Sequence, residues 1–158
     1  MTSLTRRKFA IGAALLPFLA ERGFAQTALP KMTVSKDPNC GCCGGWVDYL
    51  RADGFAVDVV ETADLTAIKT RLGVPEALQS CHTAEIGGYV IEGHVPAAMI
   101  RRLLTEKPRA IGLAVPGMPA SSPGMDVPGA ADAYDVVLFG TSTQKRYARF
   151  QGRREIVK

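Results

Sequence analysis

Three of the four cysteines in this chain lie within four residues of one another, in the motif Cys40-Gly-Cys42-Cys43. The fourth, Cys81, is followed directly by His82. A disulfide between cysteines so close in sequence closes a very short loop and constrains the unfolded chain little. A bridge between the neighbours Cys42 and Cys43 would also be strained. We therefore expect these thiols to be reactive or to bind metal rather than to act as structural crosslinks.

The residues around the cysteine motif predict that it lies at the start of a helix. Residues 32–36 have the composition of a strand, residues 37–39 (Asp-Pro-Asn) favour a turn, and the run from Trp46 to Leu50 has helical spacing. The unpaired N–H groups and the dipole at a helix N-terminus stabilise thiolate over thiol. Thiolate is the form that attacks disulfides and binds metal ions.

The chemical types of the candidate ligands limit which metal ions the site could bind. Three or four thiolates with no nearby cluster of carboxylates favour Cu(I) or Zn(II) and disfavour Mg²⁺, Ca²⁺ and Mn²⁺. Met118 and Met125, each in a Pro-Gly-Met triplet, favour copper over zinc, because thioether sulfur is a ligand of Cu(I). The alternative is that these two methionines fill gaps in the core, and the sequence does not decide between the two roles.

The two histidines are further candidate ligands, and each has an alternative role. Because side chains alternate along a strand, only one of Cys81 and His82 is expected to point at the site unless the backbone is irregular there. His94 lies just before a predicted helix, so we expect it to cap that helix or to support the fold rather than to bind metal.

Two other functions remain open at this point. Cys40 and Cys43 have the spacing of a CxxC redox pair, so the chain could be a thiol–disulfide oxidoreductase. Against this, Cys42 would disturb a two-thiol cycle, and Cys81 with His82 would have no role. A structural zinc site is the third option, although the ligand spacing does not match paired zinc knuckles.

The order of the predicted elements indicates an α/β fold. Strands and helices follow one another as β-α-β-α-β-β-α up to about residue 108, which predicts one mixed sheet flanked by helices on both faces. A cysteine motif between the first strand and the first helix indicates a thioredoxin-like arrangement. Beyond it we predict a loop rich in Gly, Pro and Met (residues 116–129) and a β-hairpin extension (residues 134–139 and 145–150).

The N-terminal residues have the layout of an export signal. A basic start is followed by an apolar run over residues 9–20 and a small-residue cleavage site ending at Ala25. The pair Arg6-Arg7 within Thr-Arg-Arg-Lys-Phe matches the twin-arginine pattern. We therefore predict a twin-arginine-like signal peptide over residues 1–25, a single mature domain over residues 26–158 and no membrane association after cleavage.

Charge excludes one class of partner. Residues 1–25 hold four of the 19 basic side chains and one of the 15 acidic ones, so the rest of the chain carries 15 and 14, a net charge of +1. A nearly neutral domain has no electrostatic basis for binding nucleic acid.

Four segments taken together resemble one family, the exported copper-resistance proteins of the CopG type. The segments are Cys40-Gly-Cys42-Cys43-Gly-Gly-Trp46, Ser80-Cys81-His82-Thr83-Ala84, Gly88-Tyr-Val-Ile-Glu-Gly-His94-Val-Pro96 and Pro116-Gly-Met118-Pro-Ala-Ser-Ser-Pro-Gly-Met125. A CxCC motif followed by a Cys-His-Thr-Ala segment is far more specific than an isolated CxxC.

The resemblance implies a thioredoxin-like, periplasmic protein that holds copper, as one or several Cu(I) ions, at the cysteine motif. It also implies a role in copper resistance, with copper export or chaperone proteins as partners. Carried over by motif, the ligands would be Cys40, Cys42, Cys43 and Cys81. His82, His94, Met118 and Met125 would be weaker candidates.

Overall fold

The computed structural model describes residues 28–125, 127–130 and 132–156. The predicted signal peptide, residues 1–25, lies outside these residues. The described part of the chain forms three α-helices and eight strands, in the order β1 (Met32–Lys36), α1 (Gly41–Ala52), β2 (Val57–Glu61), α2 (Leu65–Arg71), β3 (His82–Ile86), β4 (Tyr89–Glu92), α3 (Ala97–Glu106), β5 (Gly112–Ala114), β6 (Ala133–Phe139), β7 (Gln144–Gln151) and β8 (Arg154–Glu155). Within this part of the chain, none of the helices has the length and apolar character needed to cross a membrane.

The eight strands form one mixed sheet in the spatial order β2-β1-β3-β4-β5-β6-β7-β8. β1 is parallel to β2 and β4 is parallel to β5, whereas the other neighbouring strands are antiparallel. The predicted mixed α/β sheet is confirmed, and so is the C-terminal hairpin, which is β6–β7. β5 and β8 were not predicted, because strands of three and two residues are too short to show a pattern.

Hydrophobic side chains pack against both faces of the sheet. Trp46 of α1 and Ile100 of α3 are fully buried in one cluster, together with Ile91 of β4. The neighbouring strand residue, Val90, belongs to a second cluster that includes Val74, just after α2. Because successive strand residues point to opposite faces, α1 and α3 cover one face and the chain after α2 covers the other.

Two helices begin at positions other than those the sequence predicts. α1 starts at Gly41, one residue after Cys40, so the cysteine motif is the first turn of the helix rather than the segment before it. Its three glycines, poor helix formers, conceal this turn in the sequence. Proline is common at the first position of a helix, and the sequence therefore predicts that α3 begins at Pro96. Instead Pro96 occupies the N-cap with an extended ψ of 139°, and the helix begins at Ala97.

Candidate metal centre

The sheet brings the two cysteine-bearing segments together. β1 and β3 are antiparallel neighbours, with Lys36 at the end of β1 paired with His82 at the start of β3. The turn that leads from β1 to Cys40 and the residue before β3, Cys81, therefore lie at the same edge of the sheet. The four cysteine sulfur atoms all lie within 4.8 Å of one another, and we call them the cysteine group.

Two members of the cysteine group are joined. Cys40 and Cys43 form a disulfide with an S–S distance of 2.04 Å, and Cys42 and Cys81 are free thiols. The bridged pair is the CxxC pair identified above as a possible redox couple. Cys42 Sγ lies 3.5 Å from Cys40 Sγ and 4.0 Å from Cys81 Sγ. The two free thiols thus lie beside the disulfide, within reach of the same bound ion or of each other.

The thiol of Cys81 is held in its protonated form when no metal is bound. Burial is the main cause, the negative charge of a Cys42 thiolate adds to it, and together they raise the pKa of Cys81 to about 11. Metal ions bind the thiolate, so a metal that binds Cys81 at neutral pH must displace this proton.

Both histidines lie against the sulfur of Cys81. Its Sγ is 3.3 Å from His82 Nδ1 and 3.1 Å from His94 Nε2, and both imidazoles are fully buried. These three residues form a second group of potential ligands within 4.8 Å, sharing Cys81 with the cysteine group. His82 and Cys81 can both reach the site because Cys81 lies in a bend just before β3, where strand alternation does not apply.

His94 does not have the capping role that its position suggested. Pro96 is the N-cap of α3, and the hydroxyl of Tyr49, not His94, accepts from the first amide of that helix, that of Ala97 (3.0 Å). Instead His94 Nδ1 lies 2.8 Å from the carbonyl oxygen of Pro123. A carbonyl only accepts, so Nδ1 carries a hydrogen, and in the neutral form of the ring the lone pair of Nε2 is directed at Cys81. A second hydrogen bond that fixes the tautomer in this way is typical of histidines that bind metal.

His82 is buried with one ring nitrogen unsatisfied. Its Nε2 has no hydrogen-bond partner among the described residues, and its ring lies 4.4 Å from that of Trp46. Burial, followed by the nearby charges of His94 and Lys69, holds the pKa of His82 well below its usual value. The imidazole is therefore neutral, the form that can donate a lone pair to a metal.

The loop with the two methionines is hydrogen-bonded to the segment that carries Cys81. The amide of Gly117 donates to Gln79 O at 3.2 Å, and the Ser80 hydroxyl donates to Gly117 O. Met118 is 55% exposed, so the alternative that it fills a core gap is wrong, whereas Met125 is half-buried. A metal role for either methionine remains a prediction.

The other end of this loop packs directly on α1. Gly124 has a φ of +85°, and a Cβ at this position would lie 2.4 Å from the backbone nitrogen of Trp46. A Cβ on Gly45 would in turn approach Gly124 O to 2.9 Å. Glycine is therefore required where the loop covers the first turns of the helix that carries the cysteines.

A buried ion pair that was not predicted lies beside the site. Lys69 Nζ lies 2.5 Å from Glu92 Oε1, and the two side chains are 6% and 0% exposed. The same carboxylate accepts hydrogen bonds from Thr83 Oγ1 (2.6 Å) and from the backbone N–H of Ser80 (2.7 Å). A signal was present: Lys69 follows Leu65 by four residues, and this spacing places it on the apolar side of α2.

Comparisons with known proteins agree with this picture. A family model described as "Protein of unknown function, DUF411" matches residues 78–125. Two solved structures, both of a copper resistance protein CopG and called Form 1 and Form 2, are 46% identical to this chain with a TM-score of 0.74. The match covers 78% of this chain and 99% of Form 1, and 77% of this chain and 98% of Form 2. No curated protein matches the chain.

Proposed function

This chain belongs to the family of the copper resistance protein CopG, and we propose that it binds copper and contributes to copper resistance in the periplasm. The observation that carries the proposal is the cysteine group, four sulfur atoms within 4.8 Å of one another at one edge of the sheet. Two buried imidazole nitrogens adjoin the same site through Cys81. A site rich in thiolate and imidazole and without carboxylates suits Cu(I).

The proposed ligands divide into two sets. The main ligands are the sulfur atoms of Cys40, Cys42, Cys43 and Cys81. The additional ligands are His82 and His94, with Met118 and Met125 in the loop above the site. Because Cys81 belongs to both the cysteine group and the histidine group, it can bridge neighbouring ions, and this supports a cluster of more than one Cu(I).

The disulfide adds a proposed redox step. An external dithiol that passes two electrons and two protons to the Cys40–Cys43 bridge, and itself becomes a disulfide, converts the bridge into two thiols and completes the four-sulfur site. In the opposite direction, two thiolates each pass one electron to a Cu(II) ion, which yields two Cu(I) ions and the disulfide. If this step occurs, reduced protein will convert Cu(II) to Cu(I) with loss of two thiols for each two ions, and Cys40→Ser protein will not.

The export route, the protein partners and the thioredoxin-like fold belong to the same proposal. We propose export by the twin-arginine route, with residues 1–25 removed and residues 26–158 forming the mature domain. Copper export or chaperone proteins would then be its partners. The strand order β2-β1-β3-β4, with a cysteine motif at the start of α1, supports a thioredoxin-like arrangement for the first part of the domain.

The proposal is tested by anaerobic titration of the reduced mature protein with Cu(I) against a strong chelator. We expect at least one tightly held Cu(I) per chain and a large loss of affinity in Cys42→Ser. Ser35→Ala, at a buried position of β1, is the control for a change of similar size. Weak binding that Cys42→Ser leaves unchanged would overturn the proposal.

The Cys40–Cys43 disulfide at the start of α1 favours one other candidate, a thiol–disulfide oxidoreductase. Such an enzyme would reduce insulin disulfides without added metal. It would lose all activity in Cys40→Ser and little in Cys42→Ser. A copper site would lose metal binding in both variants.

A further inference from the structure

The segment that carries Cys81 is held against a second tripeptide. Residues 80–82 (Ser-Cys-His) lie alongside residues 92–94 (Glu-Gly-His) where β3 and β4 meet. The amide of Gly93 donates to His82 O at 3.1 Å, and a Cβ on Gly93 would lie 2.6 Å from Ser80 Cβ. At one end of this contact Cys81 Sγ meets His94 Nε2 at 3.1 Å. At the other end the Glu92 carboxylate accepts the Ser80 amide.

The Glu92 carboxylate has all its contacts inside the protein. One oxygen accepts from Ser80 N (2.7 Å) and Lys69 Nζ (2.5 Å), and the other accepts from Thr83 Oγ1 (2.6 Å). Lys69 also donates to Thr83 Oγ1 at 2.9 Å. An apolar pair of the same volume often stabilises a fold as well as a buried ion pair does, so stability alone gives little reason for this arrangement.

We propose that Glu92 is a positioning residue for the metal site. Its carboxylate fixes the Gln79–Ser80 peptide group through the Ser80 N–H. Cys81 follows directly, and this places Cys81 Sγ between Cys42 and His94. Ser80 precedes β3, where the sheet supplies no partner for its N–H, so Glu92 is the group that orients this peptide. Lys69 neutralises the buried charge, and Thr83 holds the second oxygen. The consequence for metal binding rests on the proposed function, whereas the positioning of Cys81 does not.

Two double variants separate the hydrogen bond from the charge. Lys69→Met with Glu92→Gln removes both charges and keeps an oxygen that can accept from Ser80 N. Lys69→Met with Glu92→Leu removes both charges and the acceptor. The two variants match in charge and nearly in volume, so a difference between them reports on the loss of the acceptor for Ser80 N and Thr83 Oγ1. Thermal unfolding of each variant establishes that the fold is retained.

The first readout needs no metal. Without reductant, Cys42 and Cys81 are the free thiols, and trypsin places them in separate peptides, residues 37–51 and 72–101. We call the double variant with Glu92→Leu the Leu variant and the one with Glu92→Gln the Gln variant. In the Leu variant we expect the rate of Cys81 alkylation, relative to that of Cys42 in the same molecule, to rise about tenfold. A change of this size corresponds to the free energy of one buried hydrogen bond. The Gln variant should keep the wild-type ratio.

The second readout is Cu(I) affinity in a double-mutant cycle. If Glu92 acts through Cys81, the Leu variant binds Cu(I) more weakly than the Gln variant, and this difference disappears when Cys81 is already Ser. Equal alkylation ratios in two folded variants would overturn the positioning role. A wild-type protein that binds no Cu(I) would overturn the proposed function instead, and the alkylation ratio would still decide the role of Glu92.

Discussion

At the scale of single residues, Cys81 connects every part of the candidate site. Its sulfur lies within 4.0 Å of Cys42 Sγ and within 3.3 Å of a nitrogen on each of two buried histidines. Its backbone is oriented by a neighbouring amide that Glu92 holds. Because several candidate ligands converge on this one thiol, its loss should disturb the site more than the loss of any other single candidate ligand.

His82 predicts how the stability of the metal-free protein depends on pH. Its pKa is lowered in the folded state mainly by burial, so below the ordinary value of 6.5 the unfolded chain binds a proton that the folded protein does not. The free energy of unfolding should therefore fall as pH drops below 6.5, by up to about 1.4 kcal/mol per pH unit from this group.

Chemical denaturation between pH 7 and pH 5 measures this slope, with His82→Gln as the comparison. The variant should show a smaller slope, because one titrating group has been removed. Identical slopes in the two proteins would show that His82 is not held neutral by the fold.

The residues of the site differ in how far the sequence could predict them. Three cysteines in one motif are recognisable by type and spacing alone. The contact between His94 and Cys81 is not, because it depends on the β3–β4 pairing and on a carbonyl of a distant loop, that of Pro123. The Lys69–Glu92 pair could be predicted only as two charges in apolar surroundings, without a partner for either.

At the scale of elements, the site depends on α1 and the loop of residues 116–125 that covers it. Gly124 has a positive φ and no space for a Cβ against Trp46, whereas Gly129 has a positive φ of +78° and open space around it. Adding a Cβ at Gly129 causes backbone strain alone, whereas adding one at Gly124 causes strain and a steric clash. The stability of the two variants therefore distinguishes these two effects.

We predict that Gly129→Ala costs about 1–2 kcal/mol of unfolding free energy from backbone strain alone. Gly124→Ala should cost a further 1–3 kcal/mol or so, because the added methyl meets backbone atoms that cannot move aside. Urea unfolding of the two variants makes the comparison. Equal losses would mean that the loop does not pack on α1 as described.

The elements themselves were predictable where they are long and patterned. The β-α-β-α-β-β-α order and the C-terminal hairpin follow from apolar spacing and turn residues. The true start of α1 does not, because Gly41, Gly44 and Gly45 lower helix propensity. The close approach of Gly124 explains one of these glycines, because a Cβ on Gly45 would lie only 2.9 Å from Gly124 O.

At the scale of the whole molecule, the proposed copper binding depends on the redox state of the cysteine group. The Cys40–Cys43 disulfide occupies two of the four sulfurs, so the oxidised protein can offer only Cys42 and Cys81 as thiolates. We predict that reduction raises both the number of Cu(I) ions bound per chain and their affinity.

Anaerobic titrations of the oxidised and the reduced protein test this prediction, with copper measured by elemental analysis. The double variant Cys40→Ser with Cys43→Ser serves as the control, since reductant should not change its binding. Equal Cu(I) binding by oxidised and reduced wild-type protein would contradict the prediction, because it would mean that Cys40 and Cys43 do not bind copper.

The most direct test of the central claim is a crystal structure of the reduced, Cu(I)-loaded mature protein, with anomalous diffraction recorded at the copper edge. We expect anomalous peaks within bonding distance of Cys40, Cys42, Cys43 and Cys81, at the edge of the sheet where β1 ends and β3 begins. Copper peaks bound elsewhere on the protein, with these sulfurs unligated, would contradict it.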